Sequence, residues 1–182
     1  MTTGYVYLIS STTMKKRGLI TDPTLEYICK TSIEMAQKIG LREIIGDCLI
    51  EKLQVLVSTK DEETGVLLIN LPANIHYKVL LTNHITDYLV YKTMGEAVIP
   101  LRDKMRNAGV VNTTDSNYQQ PDFNGEITYV KRYWNDAAEY FGTILRQYIE
   151  KHLDYFPEYN ACDSCGDKNG KQSKIYNCGI VL

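Results

Sequence analysis

The residues best suited to chemistry lie near the end of the chain. Cys162 and Cys165 form a Cys-x-x-Cys knuckle, and Cys178 follows after twelve further residues. Thiolates at knuckle spacing bind zinc when four ligands close a tetrahedral shell. The fourth ligand is missing here, because His152 belongs to the preceding helical pattern and Asp163 would have to turn inward beside its own knuckle. Three small thiols in an arm is the plainer account, so no metal and no cofactor is assigned. A redox pair is disfavoured too, since the motif does not open a helix in a βαβ unit, where a thiolate is stabilised.

The second candidate is Gly4-Tyr5-Val6-Tyr7-Leu8-Ile9, which resembles the opening strand of a GIY-YIG-type nuclease. That fold needs a second Tyr/Lys-Ile-Gly strand, a catalytic arginine on a helix and a metal-binding glutamate. The chain offers Arg17-Gly18-Leu19-Ile20 in place of the strand, and Arg42 and Glu51 fall on the polar side of an amphipathic pattern, where charges are ordinary. His76 and His84 stand eight residues apart on one helical pattern, and His84 joins its apolar stripe, which reads as a buried, hydrogen-bonded core histidine. The sequence contains no Gly-x-Ser-x-Gly elbow, no Gly-x-x-x-x-Gly-Lys-Ser/Thr loop and no His-Glu-x-x-His helix. No catalytic residue is assigned, and the expectation is a protein that is not an enzyme.

Tyrosine is the unusual component, with 14 against three phenylalanines. Tyr118, Tyr129, Tyr133, Tyr140, Tyr148, Tyr155 and Tyr159 crowd around the last long helical pattern, and several fall off its apolar stripe. They suit either the margin of a core or a protein interface, where tyrosine supplies large area at low entropic cost.

The elements that must position these residues follow from the pattern. With 182 residues, 44% of them hydrophobic and 23% charged, the chain suits one globular domain. A net charge of −2 and a pI near 5.9 disfavour a dedicated nucleic-acid binder. No run approaches the ~20 apolar residues of a membrane span, and the N-terminus lacks the basic flank of an export signal. Residues 1–21 read as an N-terminal arm, 22–159 as a helical domain with a polar loop at 107–125, and 160–182 as a C-terminal tail. Asp22-Pro23 predicts a helix start, carrying the stripe from Leu25 to Ile39 before a stop at Gly40; a second stripe runs from Leu41 to Leu56. Val66 to Leu71 is ambiguous between a short strand and a packed lead-in. A long central helix follows from Ala73, bent near Gly95 or interrupted at Pro100, and a last helix spans Ile127 to Tyr148. The fold class is therefore mainly α, a small bundle of four to five helices. The arms at Tyr5 to Ile9 and Ile175 to Leu182 are β-prone, and a lone strand leaves its backbone unpaired, which predicts pairing with another subunit.

In order and spacing, these parts resemble a known family. Ser32-Ile-Glu-Met-Ala-Gln-Lys-Ile, Leu41-Arg-Glu-Ile-Ile-Gly-Asp-Cys-Leu and Tyr77-Lys-Val-Leu-Leu-Thr-Asn-His-Ile-Thr-Asp-Tyr-Leu are similar to head-to-tail connector proteins of tailed bacteriophages. Asn107-Ala-Gly-Val-Val, Tyr133-Trp-Asn-Asp-Ala-Ala-Glu-Tyr-Phe, Leu145-Arg-Gln-Tyr-Ile and Phe156-Pro-Glu-Tyr-Asn resemble the ring proteins of crAss-like phages. The likeness covers roughly residues 20 to 160. It implies a homo-oligomeric, twelve-fold ring in the virion at the head–tail junction, docked on a portal protein and on the next tail or ring protein. The genome would pass through its lumen without specific binding. The partner-interface residues expected on this reading are Tyr5, Tyr7, Ile9, Tyr133, Tyr140, Ile175, Tyr176, Ile180, Val181 and Leu182. The alternative is a small metal-binding or nuclease-like module using the cysteine tail or the Gly4 to Ile9 strand.

Overall fold

The apolar stripes fold as their spacing predicts, into a small helical bundle. The computed structural model describes residues 5–17, 26–107 and 123–161. Helix α1 is Ser11–Arg17 and α2 is Glu26–Met35; a π-helical turn, Ala36–Leu41, leads into α3, Arg42–Ser58. After a turn region come α4, Ile75–Leu80, a second π-helical turn, Leu81–Ile85, and α5, Thr86–Asn107. Helix α6 is Phe123–Lys151, and the short α7 is Glu158–Ala161. The Asp22-Pro23 start and residues 108–122 of the expected loop lie outside the described residues. No helix among those described is long and apolar enough to cross a membrane.

Several boundaries differ from expectation for identifiable reasons. The chain does not stop at Gly40 but passes through it in the π turn. The break comes at Gly46, whose φ of 75° and ψ of 168° lie in a region essentially reserved for glycine. Neither Gly95 nor Pro100 interrupts α5. The extra residue of the Leu81–Ile85 turn is secured by Thr86, whose hydroxyl donates to the Leu81 carbonyl at 2.7 Å. The ambiguous run makes one antiparallel bridge, Lys60 with Leu67, then turns through 3₁₀ helices at Leu68–Asn70 and Pro72–Asn74.

The core draws on every long helix. Cys29 and Ile33 of α2, Ile45, Leu49 and Leu53 of α3, Leu89 of α5 and Leu145 and Ile149 of α6 are fully or almost fully buried. Tyr88 of α5 stands where three elements converge. A Cβ added at Gly142 of α6 would lie 2.9 Å from Ile44 Cδ1 and 3.3 Å from Tyr88 Cε2. One added at Gly40 would lie far inside van der Waals contact distance of the Tyr88 hydroxyl. Burial is the first cause raising the Tyr88 pKa above 10.0, with the nearby Glu43 and Glu96 carboxylates pushing the same way. The ring is thus a neutral filler in space that two glycines leave open.

The glycine–tyrosine fit predicts a coupled pair. Gly40→Ala should cost about 1–3 kcal/mol through overpacking. Tyr88→Phe removes the clashing oxygen, so the double variant should be more stable than the sum of the single changes predicts. Urea unfolding of the four proteins measures the coupling, and strict additivity would contradict the fit described.

Candidate partner interface

Helix α6 carries two faces with different work. Its 29 residues span about 43 Å at helical rise. Ala138, Leu145 and Ile149 point into the core. At about 100° per residue, Tyr129, Tyr133 and Tyr140 fall within about 40° of one another and about 160° from that core face. They are 74%, 57% and 65% exposed, against 4% for Tyr88.

Two of these exposed rings, Tyr133 and Tyr140, rest on inner aromatics. Tyr133 meets Trp134 edge-on at 5.1 Å, and Tyr140 meets Phe141 edge-on at 5.5 Å. Beneath them Tyr91 of α5 stacks on Phe141 at 4.7 Å and lies 5.9 Å from Trp134. The outer rings are therefore held by inner aromatics, which lowers the entropic cost of ordering them against a partner.

The N-terminal segment departs from expectation. Tyr5 to Ile9 form no strand; glutamine side chains instead bond two of their backbone groups, the Leu8 N–H and the Val6 carbonyl. Gln37, fully buried in the first π turn, accepts the Leu8 N–H at 3.0 Å and donates to the Val6 carbonyl at 3.0 Å. Gln54 of α3 donates to the same carbonyl at 3.1 Å. Leu8 and Ile9 are then buried in the core of their own chain, so Ile9 is a packing residue rather than an interface residue. Tyr5 and Tyr7 are partly buried and meet edge-on at 5.1 Å, with Lys38 Nζ 4.8 Å over the Tyr5 ring. Burial, ahead of the Glu34 charge, pushes the Tyr5 pKa up to about 12.

A family model described as a family of unknown function (DUF6712) matches residues 41–169. The chain belongs to this family. The matched region begins at the end of the first π turn and takes in α3 to α7, including the tyrosine face of α6. No curated protein and no solved structure matches the chain.

Among the described residues, the remaining candidates do not converge on a reactive centre. Arg42 is paired with Asp47, and Glu51 is exposed on α3, so the nuclease-like reading finds neither its strand nor its arginine poised. Cys162, Cys165, Cys178, Ile175, Tyr176, Ile180, Val181 and Leu182 lie outside the described residues. Among the described residues, no three His, Cys, Asp or Glu side chains gather as metal ligands. His152, the forced fourth zinc ligand, uses Nδ1–H to donate to the Tyr148 carbonyl at 2.8 Å. His84 is half-buried and held by stacking on Tyr148 at 4.1 Å rather than sealed in the core.

The glutamines were the residues hardest to foresee. A polar residue on a helix carries no mark of its partner when that partner is a backbone 29 residues away. Their unequal roles generate a prediction. Gln37→Ala leaves the buried Leu8 N–H unpaired and should cost about 1–3 kcal/mol, whereas Gln54→Ala leaves Val6 still bonded to Gln37 and should cost less than about 1 kcal/mol. Limited proteolysis at residues 5–10 should be accelerated far more by the first change. Equal effects would contradict the geometry.

Proposed function

We propose that this chain is a structural subunit of a connector ring between the portal and tail of a tailed bacteriophage. Ring assembly places it in the virion at the head–tail junction, with the portal protein, the next tail or ring protein and further copies of itself, twelve-fold, as partners. Genome DNA passes the lumen without specific binding, and a net charge of −2 suits a wall that must not hold phosphate. The observation that carries the reading is the ordered tyrosine face of α6, turned away from the core of its own subunit. The sequence resemblance over roughly residues 20 to 160 supports the same reading.

The arms divide on this proposal. The N-terminal segment steadies its own bundle through Gln37 and Gln54. The apolar C-terminal tip, Ile175 to Leu182, is the arm assigned to a partner. The tyrosine face offers only part of the ~800 Å² per partner that a standard interface buries. Additional contact from the tip and from a portal template is therefore required, and the isolated chain is expected to be a monomer that assembles on its partner.

Light scattering with and without portal tests this. The wild-type chain should enter a high-mass ring on addition of portal. Tyr133→Ala combined with Tyr140→Ala should leave the unfolding midpoint nearly unchanged, because both rings are exposed, while assembly weakens by at least tenfold. Normal assembly of that variant would remove the face from the mechanism. Stoichiometric zinc lost on Cys165→Ser would instead favour the metal-binding module.

A further inference from the structure

All three histidines of the chain fall in one aromatic stack. His84, in the second π turn, lies on Tyr148 of α6 at 4.1 Å and 26°. Tyr148 meets His152 at 4.5 Å, His152 faces Tyr155 at 6.1 Å and 20°, and Tyr155 lies on His76 of α4 at 3.7 Å and 6°. The stack runs from the half-buried His84 to the turn that follows α6. Phe156, in that turn, is fully buried between Tyr77 and Tyr148, at 5.5 and 6.2 Å.

We propose that this histidine–tyrosine stack is a pH-sensitive latch that holds the turn Leu153–Ala161 on the bundle near neutral pH and loosens it on acidification. The latch stands independently of the ring assignment, since it needs only the chain itself. It acts at the point from which the cysteine-bearing tail leaves the domain.

The groups around His84 set its direction. Tyr148 of α6 and His152, just past its end, face it, and Asp87 faces it from α5. From α4 come His76, at the far end of the stack, and Tyr77, whose hydroxyl donates to Glu158 at 2.7 Å. Glu158 also has Lys52 of α3 at 3.8 Å. The Asp87 carboxylate favours a charged His84, but it is already engaged by Arg17 of α1. Burial is the larger influence, and together with the His152 charge it lowers the His84 pKa below its usual 6.5.

The sign follows from linkage. The folded form prefers neutral His84, so this stabilisation is fully present above pH 6.5 and is lost as pH falls through the lowered folded value. Protonation puts a cation into a half-buried stack beside a second imidazole. Relief comes from hydrating the rings, and the turn that carries Tyr155 is the short element that must move away.

Amide hydrogen exchange of the full chain, corrected for the intrinsic pH dependence of exchange, tests the latch. Protection over residues 153–161 should fall severalfold between about pH 7.5 and about pH 5, the range in which histidine titrates. His84→Phe keeps a stacked ring that cannot take a proton and should flatten the profile. His84→Gln removes the ring and should leave the turn weakly protected at both values. A flat wild-type profile, or a His84→Phe profile that falls in step with the wild type, overturns the proposal. Should the variants fail to fold, the wild-type ring-proton titration of His84 by NMR decides: its midpoint must coincide with that of the opening, and separated midpoints overturn the latch.

Discussion

The bundle depends on how closely α6 can approach the Tyr88 ring. Gly142 lets α6 lie against that ring and Ile44, and Gly40 lets the π turn close over the ring's hydroxyl end. A side chain at either glycine would crowd the Tyr88 ring and its neighbours, and interiors packed like organic crystals have little spare space to absorb the shift. Because α5 and α6 share the most extensive helix–helix contact in the described structure, their separation also sets the rotation of α6. That rotation turns Tyr129, Tyr133 and Tyr140 outward while Leu145 and Ile149 remain inside.

The two π-helical turns have consequences of the same kind. Each inserts a residue that shifts the phase of the helix after it. The first, Ala36–Leu41, holds Gln37 in the interior, where its amide replaces a neighbouring strand for Val6 and Leu8. The second, Leu81–Ile85, holds His84 against Tyr148. The irregular turns thus share with regular helix, through Gln54 of α3 and Tyr77 of α4, the work of holding the terminal parts of the domain to the bundle.

Much of the architecture was legible in the residues. The stripes from Ile28 to Ile39, Leu41 to Leu56, Tyr77 to Val98 and Ile127 to Tyr148 all became helices, because burying one face of a helix requires that spacing whatever the partner. The break near residue 40 was misplaced: glycine marks both close approach and unusual φ, and only the backbone distinguishes Gly40 from Gly46. The N-terminal strand was misread because an apolar run needs burial and backbone partners, and periodicity does not reveal that two glutamines bond Val6 and Leu8 in place of a neighbouring strand. Of the residues expected at an interface, Tyr133 and Tyr140 are exposed, whereas Ile9 is buried in the core.

The sequence by itself determined the helical class and the α6 core stripe, and it marked a tyrosine surplus too large for that stripe to absorb. Those are local properties, set by a 3.6-residue period and by side-chain chemistry. The tertiary structure decided which tyrosines stay in water, which glutamines meet the N-terminal backbone, and that three histidines spread over 77 positions share one stack. Such contacts depend on the distance and rotation between helices, which close packing around Tyr88 fixes and no single segment encodes.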